Sequence, residues 1–288
     1  MTDVPTSRTS ALATVLLAAM AVAAFAGNSL IARAALADGA IEAGAYSAIR
    51  LASGALVLLP FLSAAPSRSD WPGAAALAAY VGFFSLAYLD LGAGLGAVIL
   101  FGFVQASIIA YGVLKGEAMG ARGWIGIALA LAGLIWALAP WQAFESGAAA
   151  ILPGALMAAA GIAWGAYTII GRSSAERPGG ASGSTARSFL LASLLIAPML
   201  AWDSTLPSWQ GVGLAVLSGT VTSALGYIVW YKVAPQLGLA TIATVQLATP
   251  IAAALGGVVL LAELLTVQIV VGGALIIGGI VLTLQPSR

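Results

Sequence analysis

Polar side chains are rare in this chain, so those inside its long apolar runs are the first candidates for chemistry. Asn28 and Ser29 lie deep in the first run, Gln105 and Ser107 in the fourth, Gln246 and Thr249 in the ninth. Aromatic residues recur beside them at helical spacing. Tyr80, Phe84 and Tyr88 repeat every four residues and form one stripe, and Tyr227 and Tyr231 do the same. Phe101, Trp164 and Tyr167 also sit within runs. Amides and hydroxyls hydrogen-bond a ligand, while Tyr and Trp join an apolar face to a polar edge. This is the chemistry of binding. The candidate set is Asn28, Ser29, Tyr80, Phe84, Tyr88, Phe101, Gln105, Trp164, Tyr167, Tyr227, Gln246 and Thr249. The same residue types also stitch helices together and fill interiors, and the residues alone leave both uses open.

Catalysis finds little support. The chain has no Cys and no His, which removes thiolate sites and the commonest general base and metal ligand. Intramembrane aspartyl chemistry needs two buried Asp, and the Asp residues lie at breaks between runs. There is no phosphate-binding loop. No catalytic residue, metal or cofactor is expected, and any uphill work must draw on a gradient. The net charge of +1 is carried by scattered basic residues, so no nucleic-acid partner is expected.

The chain is 61% hydrophobic and 7% charged, against roughly a quarter charged in a soluble domain. Lipid must be its solvent. A bilayer core of about 30 Å takes about 20 helical residues, and the runs are continuous rather than alternating, which favours helices over a barrel. Ten runs are legible, near 11–35, 43–64, 71–89, 93–114, 122–138, 148–171, 188–202, 209–231, 239–261 and 267–284. Residues 1–10 read as a polar tail, and 172–185 (RSSAERPGGASGST) as a flexible loop.

The chain is also duplicated. Gly92–Pro140 recurs without a gap as Gly238–Pro286, laying Glu117 on Glu263, Gly126 on Gly272 and Gly133 on Gly279. Earlier elements echo too: Arg33 parallels Arg172, and Pro60 parallels Pro198. With the N-terminus in the cytoplasm, Arg8, Arg68, Lys115, Arg122, Arg172, Arg177, Arg187, Lys232 and Arg288 all fall on the inner side. Five runs per half then invert the second half relative to the first. The expected fold is an all-α integral membrane protein, with ten transmembrane helices as two inverted five-helix repeats around a central cavity. Its units are a tail at 1–10 and repeats at 11–140 and 148–286. Runs 1, 3, 4, 6, 8 and 9 should line the cavity, with 5 and 10 outside as supports.

Thr249-Pro250, then Leu261-Ala262-Glu263-Leu264-Leu265-Thr266, then Gly272, Gly273 and Gly279 resemble the C-terminal pattern of the drug/metabolite transporter superfamily, in its EamA-type members. Arg50 resembles an Arg often found early in the second helix of that family. The first repeat departs from the pattern, with Val104-Gln105 where Pro is expected and Gly120 in place of Thr. The overall pattern is similar to amino-acid exporters of the YddG type. The resemblance implies a secondary transporter of small metabolites in a bacterial inner membrane, most closely an exporter of neutral and aromatic amino acids by alternating access, with both termini cytoplasmic. A drug or nucleotide-sugar carrier and a passive channel are the alternatives. The partners are such metabolites and the bilayer, and a monomer is the working expectation. Arg50 could grip a substrate carboxylate if it faces inward, but the favoured expectation is that it snorkels outward toward Glu42 or Asp38; Glu117 and Glu263 are expected to cap helices, Pro250 to bend the ninth run, and Tyr231, Trp209 and Trp71 to anchor at the membrane interface.

Overall fold

The computed structural model describes residues 11–36, 39–91, 93–116, 120–138, 151–261 and 267–284. The expectations for the 1–10 tail, Asp38, the Glu117 and Glu263 caps and the connector at 141–147 lie outside the described residues.

Helices occupy each apolar run: α1 (Ala11–Leu36), α2 (Ala43–Leu58), α3 (Trp71–Asp90), α4 (Ala93–Leu114), α5 (Ala121–Leu138), α6 (Ile151–Arg172), α7 (Gly180–Ile196), α8 (Trp209–Leu217), α9 (Gly226–Val233), α10 (Leu239–Gln246), α11 (Ala248–Leu261) and α12 (Val267–Leu284). A π-helical stretch, Ser218–Leu225, joins α8 to α9 in one rod. There is no strand among the described residues. Among the described residues, six spans are long and apolar enough to cross a membrane: Leu12–Leu36, Ala43–Phe61, Arg68–Asp90, Ile151–Arg172, Gly180–Trp202 and Trp209–Gln236. Shorter apolar helices run over Ile99–Leu114, Ala121–Gly133 and Val270–Gly279.

Proline sets several of the boundaries. Pro60, Pro198 and Pro235 each fall where an α-helix tightens into a 3-10 turn, because proline cannot continue the backbone ladder. Pro72 stands in the first turn of α3, where its missing N–H is no loss. Pro250 likewise stands in the first turn of α11, and the ninth run breaks just before it at Leu247.

The 172–185 stretch is not a flexible loop. The helix of α6 continues through Arg172, a 3-10 turn follows over Ser173–Glu176, and α7 begins already at Gly180. Gly179 and Gly180 reverse the chain at φ 75° and 62°, a backbone region that glycine enters freely. Three of its polar residues, Ser174, Ser184 and Thr185, are buried, and Arg187 and Ser188 follow them into the bundle in the first turns of α7.

The helices pack in a recurring pattern. α2 lies on α7, and α5 on α12. α4 packs on α6 as α1 does on α11, and α3 packs on α6 as α1 does on the α8–α9 rod. α3 meets α7 as α2 meets α8 and the π stretch. Glycines allow the tightest approaches. A methyl built on Gly133 would lie 2.6 Å from Leu275 Cβ and 2.8 Å from the Gly272 carbonyl, and one on Gly279 would strike the Gly126 carbonyl. Leu12, Val15, Leu16, Leu56, Leu114 and many other large apolar residues are exposed on the outer faces, where lipid would cover them.

Candidate functional site

The polar side chains of the interior meet between α1, α2, α3 and the α8–α9 rod. Asn28 of α1 is the hub. Its Oδ1 accepts from Ser218 Oγ at 2.6 Å and from Thr222 Oγ1 at 3.3 Å, and its Nδ2 donates to the Tyr80 hydroxyl at 3.5 Å. Tyr46 of α2 donates to Ser218 Oγ at 2.9 Å. The π-helical stretch brings Ser218, Thr222 and Ser223 together on the buried side of the rod; such insertions often mark functional sites. Gly219 carries no side chain because the Arg50 carbonyl and Ser53 occupy that space.

Arg50 does not snorkel. Two turns into α2, it is fully buried, with Nε donating to Ser223 Oγ at 2.9 Å and Nη2 to the hydroxyls of Tyr80 at 3.4 Å and Tyr227 at 3.3 Å. Its Cζ lies 5.3 Å from the ring centroids of both Tyr80 and Phe84, within cation–π range. Glu42, one of the two partners expected for it, binds Ser204 and Thr205 instead.

An aromatic cage closes on this network. Trp164 lies 4.8 Å from Tyr227, 5.0 Å from Tyr80 and 5.3 Å from Phe25, centroid to centroid. Its Nε1 donates to Gln246 Oε1 at 2.7 Å. A cavity of about 10 Å³ remains, lined by Phe25, Asn28, Ser29, Tyr80, Leu100, Phe101, Trp164 and Tyr227. That is about the room one water needs.

The structure therefore brings six of the expected residues to one cavity: Asn28, Ser29, Tyr80, Phe101, Trp164 and Tyr227. Phe84, Tyr88 and Tyr167 extend the cage, with Phe84 4.6 Å from Tyr88 and 5.3 Å from Tyr80, and Tyr167 5.7 Å from Trp164. Gln246 reaches it through Trp164. Gln105 and Thr249 are buried but do not line it. Trp209 and Trp71 are exposed as interface anchors would be, whereas Tyr231 is not one: it is buried and donates its hydroxyl to the Tyr167 carbonyl at 3.1 Å. Sequence reasoning missed Phe25, Leu100, Tyr46 and the Ser218–Ser223 group. The last carried a signal, since SGTVTS is a polar interruption within an apolar run.

Polar clasps tie the bundle at opposite ends of α2. Near its C-terminal end, Asp70 accepts from Arg187 Nε at 3.0 Å and from the Ser67 backbone N–H and hydroxyl at 2.8 Å each, with Arg177 3.8 Å away. At its N-terminal end, Asp203 accepts from the backbone N–H groups of Gly44 (3.1 Å) and Ala45, an anion on a helix start. Glu42 in turn accepts from Ser204 N at 3.0 Å, Thr205 N at 2.7 Å and Thr205 Oγ1 at 2.6 Å. The Thr205 hydroxyl bond, helped by the two backbone N–H groups and the Ser204 hydroxyl, holds the Glu42 carboxyl below its ordinary range against some desolvation. A cleft of about 220 Å³ opens beside this clasp, between Leu86, Leu89, Met199 and Trp202.

A bundle that is all-helical among the described residues, with apolar outer faces and a buried polar and aromatic centre, defines a multi-pass membrane protein. Residues 152–285 match the EamA-like transporter family. The chain is 44% identical over 257 residues to PA1977, an uncharacterized protein of Pseudomonas aeruginosa, covering 87% of each chain. It is 27% identical over 238 residues to YwfM, an uncharacterized transporter of Bacillus subtilis, covering 76% of this chain and 77% of that one. A crystal structure of a protein 18% identical superposes with a TM-score of 0.78 over 96% of this chain and 98% of its own, a likeness of fold. Residues 152–285 thus form an EamA-like transporter domain, which together with the likeness to a transporter supports membership of the drug/metabolite transporter superfamily.

Proposed function

We propose that this protein is a secondary transporter that exports small metabolites, neutral and aromatic amino acids foremost, by alternating access. Its ten helical runs each cross a bacterial inner membrane, residues 11–140 and 148–286 form two inverted repeats, and both termini face the cytoplasm. The packing pattern supports the repeats. Exchange α1 for α6, α2 for α7, α3 for the α8–α9 rod, α4 for α10–α11 and α5 for α12, and each contact described above turns into another one or into itself. Inverted repeats with a site at their interface are a recurrent transporter build.

The observation that carries the functional reading is the chamber between the halves. Asn28, Tyr80 and Phe101 come from one half, Trp164 and Tyr227 from the other, and the space they enclose holds about 10 Å³. A metabolite enters such a chamber only if one end of the bundle opens, and hydrogen-bonded clasps at both ends are the contacts that would part. Stacked rings suit an apolar or aromatic side chain, and amide and hydroxyl groups suit the polar ends of a zwitterion.

Counterflow in proteoliposomes tests this. Labelled phenylalanine should exchange faster when phenylalanine, methionine or threonine is loaded on the opposite side, and Tyr227→Ala or Trp164→Ala should reduce that exchange. A channel gives no such trans-stimulation. Transport of quaternary cations alone would overturn the substrate reading. For orientation, Cys at Ser182 and at Leu206, which is exposed, should label from opposite sides of the membrane; labelling of both from outside in intact cells would sink the ten-span topology.

A further inference from the structure

Arg50 carries a charge at the centre of the bundle that no described residue balances. It is fully buried, and the atoms it meets at Ser223, Tyr80 and Tyr227 are all neutral hydroxyls. Its Nη1 has no hydrogen-bond partner. The carboxylates that the structure describes in contacts are engaged elsewhere: Asp70 with Arg187 and Arg177, Asp203 with the start of α2, Glu42 with Ser204 and Thr205. A guanidinium does not escape burial by losing its proton, and an unpaired buried charge is costly. An ionisable residue kept in such a place points to a partner that arrives from outside.

The surrounding groups are turned the same way. The Tyr80 oxygen already receives Nη2 of Arg50 and Nδ2 of Asn28, which leaves its own O–H to donate. Tyr80 and Tyr227 both line the cavity, and Arg50 stands directly behind their hydroxyls. At 3.4 and 3.3 Å, the bonds from Nη2 to these hydroxyls are the long ones around the guanidinium, and the 2.9 Å bond to Ser223 is the short one. The charge is thus anchored through Nε and held loosely on the side that faces the chamber.

We propose that Arg50, with the hydroxyls of Tyr80 and Tyr227, is the subsite for a carboxylate on the transported molecule. The inference rests on the transporter reading of the chamber and narrows it. As the chamber opens, a carboxylate takes over the weak side of the guanidinium, where Nη1 and Nη2 offer a two-pronged face, and the phenolic O–H groups donate to its remaining lone pairs. The rest of the molecule lies against Trp164 and Phe25. A ligand that offers only an amine, an amide or a quaternary ammonium leaves the cation unbalanced and is rejected.

Isothermal titration calorimetry on the full chain in lipid nanodiscs tests this with four matched probes. Phenylalanine and 3-phenylpropionate carry the carboxylate; phenylalaninamide and phenethylamine lack it. The two carboxylates should bind at least about tenfold more tightly, the size expected of a charge-assisted hydrogen bond. Arg50→Gln should erase that preference, and Arg50→Lys, which keeps the charge and loses the fork, should keep part of it. If Arg50→Gln does not fold, the wild-type series decides alone. Equal binding of the amines, no binding of either carboxylate, or a preference that survives Arg50→Gln overturns the proposal. Phenylalanine counterflow, measured separately, distinguishes the two readings. A carboxylate preference without counterflow sinks amino-acid transport and leaves the subsite; counterflow without the preference sinks the subsite alone.

Discussion

The centre around Asn28 and the seam between α5 and α12 are both buried, but they are held by opposite means. At the centre, Tyr46, Ser218, Asn28, Tyr80 and Arg50 form one hydrogen-bonded chain across four elements. Along the seam, glycines replace side chains and backbone lies on backbone: Gly133 on Gly272 and Ile276, Gly279 on Gly126 and Ala130. Lipid removes the hydrophobic drive between helices, so association rests on either hydrogen bonds or close shape. The two means differ in what they permit. Hydrogen bonds break and re-form with new partners, water or ligand included. A glycine seam has one fit. The centre is therefore suited to change partners during a transport cycle, and the α5–α12 seam to stay closed throughout it.

The largest expected effect tests the polar side of this contrast at its rim. Asp70→Ala removes the anion facing Arg187, which is itself buried. Losing one member of a buried pair costs about 3–5 kcal/mol. The thermal midpoint in detergent should fall steeply, and adding Arg187→Met should restore much of it. A double variant no better than the single would show that packing, not charge, dominates there.

On the seam, Gly279→Leu puts a side chain where the Gly126 carbonyl and Ala130 stand. Backbone cannot move aside as a side chain can, so the cost belongs at the upper end of overpacking, about 3 kcal/mol. The fraction that folds should transport at the normal rate per molecule. A lowered rate per folded molecule would mean that the seam moves in the cycle.

Asn28→Leu should cost less stability, about 1–2 kcal/mol, chiefly for the Ser218 hydroxyl left without its acceptor, since Thr222 keeps the Ser218 carbonyl at 2.9 Å. Its effect on counterflow should exceed its effect on the thermal midpoint, the reverse of Gly279→Leu. Equal proportions in the two variants would erase the distinction between the regions.

The two regions also differ in how much the sequence disclosed. The glycines of the seam were legible by type, seven apart, twice, at matching positions, but not that α5 and α12 pair through them. The aromatic stripe was legible for a similar reason, since Tyr80, Phe84 and Tyr88 share a face by spacing. Arg50 was misread because its surroundings come from three other elements. Glu42 is eight residues earlier, about 12 Å along the helix, while the groups that hold Arg50 are 30, 173 and 177 residues away in sequence. Start and length of α7 failed in the same way. Ser184 and Thr185 look like loop composition, and Arg187 like its edge, until Asp70 is placed opposite Arg187. Polar residues near a run's edge read as exposed by default, and only their long-range partners reverse that reading.

The smallest effect expected here belongs to the clasp at the other rim, and it is a matter of pH. Glu42 is held below the ordinary carboxylate range chiefly by the Thr205 hydroxyl, with the backbone N–H groups and hydroxyl of Ser204 and Thr205 adding to it. A carboxyl lowered on folding stabilises the folded state above its unfolded value, and that contribution is lost as pH falls through the folded one. The clasp should therefore be at full strength near neutral pH and weaken only in acid, below the usual carboxylate pKa. Because the group is near solvent, ionic strength should weaken the effect further. Hydrogen exchange at the Ser204 and Thr205 amides, corrected for the intrinsic pH dependence of exchange, gives the readout: protection should fall on acidification. Glu42→Gln should start with less protection at neutral pH and lose the acid transition. Asp203 accepts from Gly44 and Ala45 at the start of α2 in the same clasp, so the exchange of those two amides should respond less to Glu42→Gln than that of Ser204 and Thr205. An acid transition unchanged in Glu42→Gln would leave Glu42 with no part in closing this end.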